Sequence, residues 1–457
     1  MSDEQWLGAF ARHSTDRSDF ATLKGGAHEL SGVLKTEAAT DPMRFARLAL
    51  RLTDETNPSY GNAILMALAE TTEPIEPAAV FDVIRHIASL HNDEYQNWLG
   101  YPLRRDPNGE VPDDIIEIIL RRALRATSPT SDGWREDRGP GLRGDIWSFG
   151  LNSARGHAVV VLGDLLAHDA DGHRTALIAP ALGQMTEDPI VGVRCCVGYL
   201  LTRCLRHARV EATAAFRRLI LTDDRLLATR QLLDLMTYIG LGEPDEIEPV
   251  IQHMLSSAHA DVRQGGGMLA AFAGLELGLG HLMTTARGSQ DAATRTGAAE
   301  LCARRLPHTT DSGMAADALG QFVNDQDDNV RKAAAKVAAA LRGQALRPFE
   351  GLLMTLIVSE SFSHALTQLL FTLQNAPDRI DNLVIQCVRR FLDVHATDIS
   401  NIATAAAREA RDIGQLILRA YAQAANGASR ARVLDLIDQL LQAGAFDFAQ
   451  NVNEAER

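Results

Sequence analysis

Apolar residues recur at helical spacing through almost the whole chain. Ala158, Val161, Leu162 and Leu165 fall on one face of a helix, and the same spacing recurs in residues 115–124 and 433–441. Long alternating stretches of apolar and polar residues, the signature of strands, are absent from the sequence. Pro and Gly fall mainly between the apolar segments. The pattern therefore predicts an all-α protein.

Six of these segments share one arrangement, in which an arginine opens a helix rich in Ala, Gly, Val and Leu. The arginines are Arg155, Arg194, Arg230, Arg263, Arg295 and Arg331. The steps between them are 39, 36, 33, 32 and 36 residues, a period that holds two helices and two turns. We interpret the arginines as structural repeat residues.

The repeats also carry acidic residues at a fixed distance. Asp188, Asp224 and Asp325 each lie six residues before a repeat arginine, so stacked repeats are predicted to form a ladder of charge pairs. The segments HADVRQGGGMLAAFAGL and DDNVRKAAAKVAAAL resemble HEAT repeats, in which an Asp precedes Val-Arg and an alanine-rich helix. The period and this pattern together predict a HEAT-like α-solenoid of stacked helical hairpins, which share one continuous core.

The prediction divides the chain into four segments. Residues 1–127 form an N-terminal helical segment, with helices near 2–13, 42–51, 60–69 and 78–90. Residues 128–149 form an irregular loop, 150–343 the repeat array, and 344–457 C-terminal helical repeats that cap it. The array opens with GLNSARGHAVVVLGDLL, where Asn152 is the predicted N-cap. Its Arg155 is interpreted as a repeat arginine and not as a phosphate clamp.

Composition narrows the possible functions. The net charge of -14 argues against general binding of nucleic acid, which needs an excess of Lys and Arg. The five cysteines have no CxxC spacing, which favours buried, reduced thiols over disulfides or a zinc site. Met1 is followed by acidic and polar residues, and no apolar run reaches the roughly 20 residues of a membrane span. We therefore expect a cytoplasmic protein without a signal peptide.

Sequence motifs of catalysis and cofactor binding are absent as well. There is no GxxxxGK[ST] phosphate loop and no GxSxG nucleophile elbow. Gly265, Gly266 and Gly267 are interpreted as sites of close helix packing, and the HDADGH segment, residues 168–173, as a turn between helices. The sequence thus predicts a protein that is not an enzyme and that binds no cofactor or metal.

The irregular loop holds the candidate partner-binding residues, since Trp and Arg are enriched in binding hot spots. They are Trp134, Arg135, Arg138, Arg143 and Trp147. Alternatively, the two tryptophans pack the loop onto the array. The aromatic residues of the segment YQNWLGY, residues 95–101, are interpreted as core packing.

Four stretches taken in order resemble the helical C-terminal region of large bacterial STAND (NACHT-like) ATP-binding proteins, several of which act in antiphage defence. They are SDEQWLGAF, GGAHELSGVLKTEAATDPMRFARLAL, GWREDRGPG followed by GLNSARGHAVVVLGDLL, and RARVLDLIDQLLQAGAF. The resemblance implies a sensor that binds a protein partner, either a phage-derived trigger or an ATPase or effector subunit. This chain departs from those proteins because it has no phosphate loop. A nucleic-acid-binding or DNA-repair HEAT protein and a general assembly scaffold remain alternatives.

Overall fold

The computed structural model describes residues 1–16, 25–90, 98–131, 145–401, 403–423 and 427–445. Within these ranges the chain is built of helices and holds no β-strand. It forms two compact units, Met1–Ile239 and Gly240–Arg457. The predicted fold class, an all-α, HEAT-like α-solenoid of stacked helical hairpins, is confirmed.

The first unit stacks its helices in two layers. Helix α2 packs on α4, α3 on α5, α6 on α8, α8 on α11, and α10 on α12. The helices are α1 (Asp3–Arg12), α2 (Ala27–Thr40), α3 (Pro42–Ala49), α4 (Pro58–Glu70), α5 (Pro77–Ser89), α6 (Asp113–Arg125), α7 (Ile146–Leu151), α8 (Ala154–Ala167), α9 (His173–Ile178), α10 (Leu182–Thr186), α11 (Val191–Cys204), α12 (Arg209–Leu219) and α13 (Arg230–Gly240). Short 3-10 helices cover Tyr101–Arg105, Ala179–Ala181 and Asp224–Ala228.

The second unit repeats the two-layer arrangement. Helix α15 packs on α17, α17 on α19, α20 on α22 and α22 on α24, while α18 packs on α21, α21 on α23 and α23 on α25. The helices are α14 (Pro244–Leu255), α15 (Ala260–Glu276), α16 (Gly280–Arg287), α17 (Ala292–Arg305), α18 (Ser312–Phe322), α19 (Asp328–Ala335), α20 (Val337–Ala340), α21 (Glu350–Val358), α22 (Phe362–Gln374), α23 (Asp381–His395), α24 (Ala405–Gln423) and α25 (Gly427–Gln442). A 3-10 helix, Arg347–Phe349, precedes α21.

The four helices predicted in the N-terminal segment are present as α1, α3, α4 and α5, which confirms those predictions. Their starts follow ordinary capping chemistry. Ser2 and Gln5 form a capping box at α1, while Asn57 caps α4 ahead of Pro58. These local signals place the helix ends, and the apolar faces then pack against neighbouring hairpins.

The start of the array differs from the prediction in three ways. Helix α7 begins at Ile146, inside the stretch predicted to be irregular, because Asp145 caps it by accepting a hydrogen bond from Trp147 N at 3.0 Å. The N-cap of α8 is Ser153 and not Asn152, since the Ser153 hydroxyl accepts from Gly156 N at 3.2 Å. Helix α8 is also buried nearly all round, because it lies between α6 and α11.

Close helix packing explains two glycines of the triplet, Gly266 and Gly267, as predicted: a Cβ at Gly266 would lie 2.9 Å from Met254 Cβ of α14. A Cβ atom at Gly267 of α15 would overlap the backbone carbonyl of Thr294 in α17. A Cβ at Gly297 of α17 would overlap the carbonyl of Gln264 in the same way. The two helices therefore approach at a distance that only glycine permits at these positions.

Candidate functional site

The candidate partner-binding residues are only partly within the described ranges. Trp134, Arg135, Arg138 and Arg143 lie outside the described residues. Trp147 is described: it lies on α7, is half-buried, and meets the Tyr199 ring of α11 edge-on with 5.7 Å between centroids. This contact directs attention to the surface that surrounds Tyr199.

Half-buried aromatic side chains from three regions of the chain converge along α8, between His157 and Asp164. The ring centroids of Trp98 and Tyr101 lie 5.3 Å apart, and that of Trp98 lies 5.1 Å from the buried imidazole of His157. We call the aromatic face the surface formed by Trp98, Tyr101, Arg104, Trp147, Asp164, Tyr199 and Arg203. Tyr95 of the segment YQNWLGY lies outside the described residues, whereas its Trp98 and Tyr101 are half-buried and so are not wholly the core packing that was expected.

Charged groups connect the rings of the aromatic face. Asp164 of α8 forms an ion pair with Arg104, with 2.7 Å between Oδ2 and Nε, and accepts a hydrogen bond from the Tyr199 hydroxyl at 2.6 Å. The guanidinium of Arg104 lies 5.7 Å from the Tyr101 centroid, and that of the exposed Arg203 lies 5.0 Å from the Tyr199 centroid. Burial and the bond to Asp164 raise the pKa of Tyr199, so its hydroxyl stays protonated and donating.

A glycine on α8 makes room for the Tyr199 ring. A Cβ atom at Gly163 would lie 2.6 Å from Tyr199 Cε1, closer than real Cβ contacts allow. Tyr199 therefore lies directly over α8, within reach of Asp164 on the next residue of that helix. The sequence signal for this position is a glycine inside an otherwise regular helical repeat.

His157 anchors the buried side of this surface. The residue is 2% exposed. Burial first, and then the charge of Arg104, lower its pKa to about 4. Its Nε2 atom is buried without a hydrogen-bond partner among the residues that the structure describes. At neutral pH His157 is thus an uncharged packing ring under Trp98.

The repeat arginines are used to hold neighbouring hairpins together. Arg155, 8% exposed, pairs with Asp188, with 2.6 Å between Nε and Oδ2. Arg295 pairs with Asp325 through two bonds of 2.7 and 2.9 Å. Each of these aspartates belongs to the hairpin that follows its arginine, so the predicted ladder of charge pairs is present between neighbours.

A second regularity was not predicted. The repeat arginines also donate Nη1 to the backbone carbonyl six residues earlier: Arg194 to Asp188 at 2.6 Å, Arg295 to Ser289 at 2.8 Å, and Arg331 to Asp325 at 2.8 Å. An aspartate six residues before an arginine therefore offers that arginine its carbonyl. The carboxylates of the same aspartates bind a different arginine, that of the preceding hairpin. Asp188 pairs in this way with Arg155, and Asp325 with Arg295.

Two members of the predicted ladder deviate from it. Arg230 has an 88% exposed side chain and reaches only Asp234 of its own helix, at 3.6 Å. It is the first residue of α13, whereas Arg194, Arg263, Arg295 and Arg331 each stand fourth in their helices. Beside the predicted Asp224, Asp223 lies within electrostatic reach of Arg194. Burial opposes the ionisation of Asp223, but its bonds to Arg225, at 2.9 and 2.6 Å, and to a smaller extent the charge of Arg194 lower its pKa. Arg263 pairs with Asp291 at 3.1 Å, which the six-residue rule missed.

The cysteines are buried, reduced thiols, as expected from their spacing. All five are buried and free. Burial raises the pKa of Cys195, Cys204, Cys302 and Cys387 to about 12. Within the described ranges, no three His, Cys, Asp or Glu side chains are grouped as a metal site would need. None of the helices that the structure describes is long and apolar enough to span a bilayer.

No protein-family model matches the chain, and no curated protein matches it. Among known structures, the karyopherin Kap121p bound to Pho4p is similar, with a TM-score of 0.48 and 12% identity over 99% of this chain and 51% of Kap121p. A full-length AP-3 complex has a TM-score of 0.46 and 11% identity over 91% and 72%. Kap95p, described with RanGDP, has a TM-score of 0.40 and 11% identity over 100% and 63%. The chain spans about half the length of Kap121p.

Proposed function

We propose that this chain is a non-enzymatic module that recognises a protein partner, and that the partner binds at the aromatic face. One observation carries the proposal: Trp98, Tyr101, Trp147 and Tyr199 converge on one surface and remain only half-buried there. Trp, Tyr and Arg are the residue types most enriched in binding hot spots. Rings that are already held by their neighbours lose little side-chain freedom when a partner binds.

A second aromatic cluster in the same unit shows what plain core packing looks like. Trp6, Phe10, Phe45 and Tyr60 are each at most 3% exposed, and the Phe10 and Tyr60 rings are stacked at 4.2 Å. That cluster has no surface left for a partner. The aromatic face keeps exposed ring area beside the exposed Arg203, and this difference supports a binding role.

The proposal is tested by affinity capture with the full chain, followed by quantitative mass spectrometry. Trp147→Ala and Arg203→Ala should each reduce recovery of a specific partner at least tenfold. The matched control is Phe371→Ala, because Phe371 is an aromatic residue 44% exposed on α22 with Arg342 stacked at 5.3 Å. A partner that the wild type and all three variants retain equally would contradict binding at the aromatic face.

We further propose that the recognised partner belongs to a STAND-type defence system, as a phage-derived trigger or as an ATPase or effector subunit. The sequence resemblance to STAND C-terminal regions supports this finer proposal. The test is phage plating on host strains with the gene deleted, restored, or restored as Trp147→Ala. An equal efficiency of phage plating on all three strains would contradict the defence role. Partner recognition would still be tested by the capture experiment.

A further inference from the structure

A cavity of about 440 Å³ lies in the first unit, beside the start of α5 and the segment that follows the 3-10 helix Tyr101–Arg105. Its walls are mainly apolar, and Ile75, Val80, Phe81, Leu103 and Val111 are among the residues that line it. This volume is in the range of sites that enclose small ligands or single side chains of a partner.

Hydrogen bonds to backbone carbonyls hold both walls of the cavity in place. Arg174 of α9 donates to the carbonyls of Pro107 and Gly109, at 3.0 and 2.6 Å. Arg105 donates Nη2 to the Glu73 carbonyl at 2.6 Å. The cavity is therefore formed before anything binds, which lowers the ordering cost of binding.

Two acidic groups give the cavity a chemical preference. Asp106 and Glu110, both exposed, line it and have no cationic partner in the part of the chain that the structure describes. An occupant that complements the cavity brings an apolar group for its walls and a cation near the two carboxylates.

We infer that the cavity seats an apolar side chain of a peptide segment whose neighbouring residue is Lys or Arg. This inference rests on the proposed recognition of a protein partner. The basic side chain of the segment pairs with Glu110 or Asp106. The short helix Tyr101–Arg105 connects the two surfaces, because Tyr101 and Arg104 belong to the aromatic face while Leu103 and Arg105 line the cavity.

The test is selection of an mRNA-displayed random heptapeptide library on the full chain. The wild type should enrich peptides in which an apolar residue adjoins Lys or Arg. Glu110→Lys should lower the affinity for a selected synthetic peptide at least tenfold, as measured by fluorescence anisotropy. Phe81→Ala should lower it to the same extent, because the change removes an aromatic ring that lines the cavity. Glu117→Lys is the matched control, since Glu117 is an exposed acid on α6 that does not line the cavity.

The inference is overturned if the wild type enriches no such pattern, or if Glu110→Lys leaves the peptide affinity unchanged. Because Glu110 is exposed, its variant tests the charge without threatening the fold. The two proposals can fail independently. Trp147→Ala and Arg203→Ala test only partner binding at the aromatic face. Glu110→Lys and Phe81→Ala test only peptide binding in the cavity.

Discussion

The hairpins that carry the repeat arginines and the hairpins from α21 to α25 are joined to their neighbours by different kinds of polar contact. In the former, ion pairs connect neighbours, as between Arg295 and Asp325. In the latter, side chains bond to backbone groups: Asp378 accepts from Leu346 N and Arg347 N at 2.9 and 2.7 Å, and Thr372 donates to the Ala338 carbonyl at 2.5 Å.

The two kinds of connection span the same length of chain. The ion pairs Arg155–Asp188 and Arg295–Asp325 join residues 33 and 30 positions apart. The bonds of Asp378 and Thr372 join residues 32 and 34 positions apart. Polar contacts between successive hairpins thus occur in both regions, as ion pairs in one and as bonds from side chains to the backbone in the other. What differs is the cost of losing one partner, because a buried arginine left without its counter-charge costs more than an unpaired neutral amide or hydroxyl.

The largest effect is expected from Asp188→Ala. The change leaves the guanidinium of Arg155 buried without its counter-charge and removes the bond that Ile190 N makes to Asp188 at 2.9 Å. The free energy of unfolding of the affected unit should fall by about 3–5 kcal/mol, measured by urea denaturation. A loss below about 1 kcal/mol would show that the ladder contributes no more than surface pairs do.

The second effect concerns the close approach of α15 and α17. Gly267→Ala should reduce the free energy of unfolding by about 2–3 kcal/mol, because the new Cβ forces the two helices apart. Gly351→Ala on α21 is the control: a Cβ there meets nothing within 4 Å, so it should be neutral or stabilise by up to about 1 kcal/mol. Equal effects at both positions would contradict the packing account.

The third effect is a pH dependence of the stability of α8, which arises from its buried His157. Since the folded pKa of His157 is about 4 and its ordinary value is 6.5, the unfolded chain takes up the proton first as pH falls. Stability from this residue is therefore complete above pH 6.5 and falls by about 2 kcal/mol by pH 5. The protection factors of the α8 amides, which are corrected for the pH dependence of intrinsic exchange, should fall over that range in the wild type and not in His157→Phe. The same pH slope in both proteins would refute this account.

The smallest effect is expected from Asp378→Ala in the C-terminal hairpins. The amides of the buried Leu346 and the exposed Arg347 lose their acceptor, but no charge is left buried, so the free energy of unfolding should fall by about 1 kcal/mol. Urea denaturation beside Asp188→Ala measures the contrast directly. A loss as large as that of Asp188→Ala would erase the proposed difference between the two kinds of hairpin.

Local sequence signals predicted the helices well, because an apolar stripe must be buried whatever its neighbours are. They predicted the ladder less well. The position of Arg230 in its helix depends on where α13 begins, and the 3-10 helix Asp224–Ala228 moves that start to Arg230 itself. The aromatic face was not predictable as a site. Trp98, Trp147 and Tyr199 are far apart in sequence, and only the packing of α7 and α8 against α11 brings them together.

The central claim is that the aromatic face contacts a protein partner, and photo-crosslinking in host cells, both uninfected and infected with phage, tests it most directly. Benzoylphenylalanine in place of Trp147 keeps an aromatic ring at the site, and the same amino acid in place of Phe371 provides the control. The account predicts one discrete adduct from position 147 and none of that mass from position 371. No adduct from position 147, or the same adducts from both positions, would contradict it.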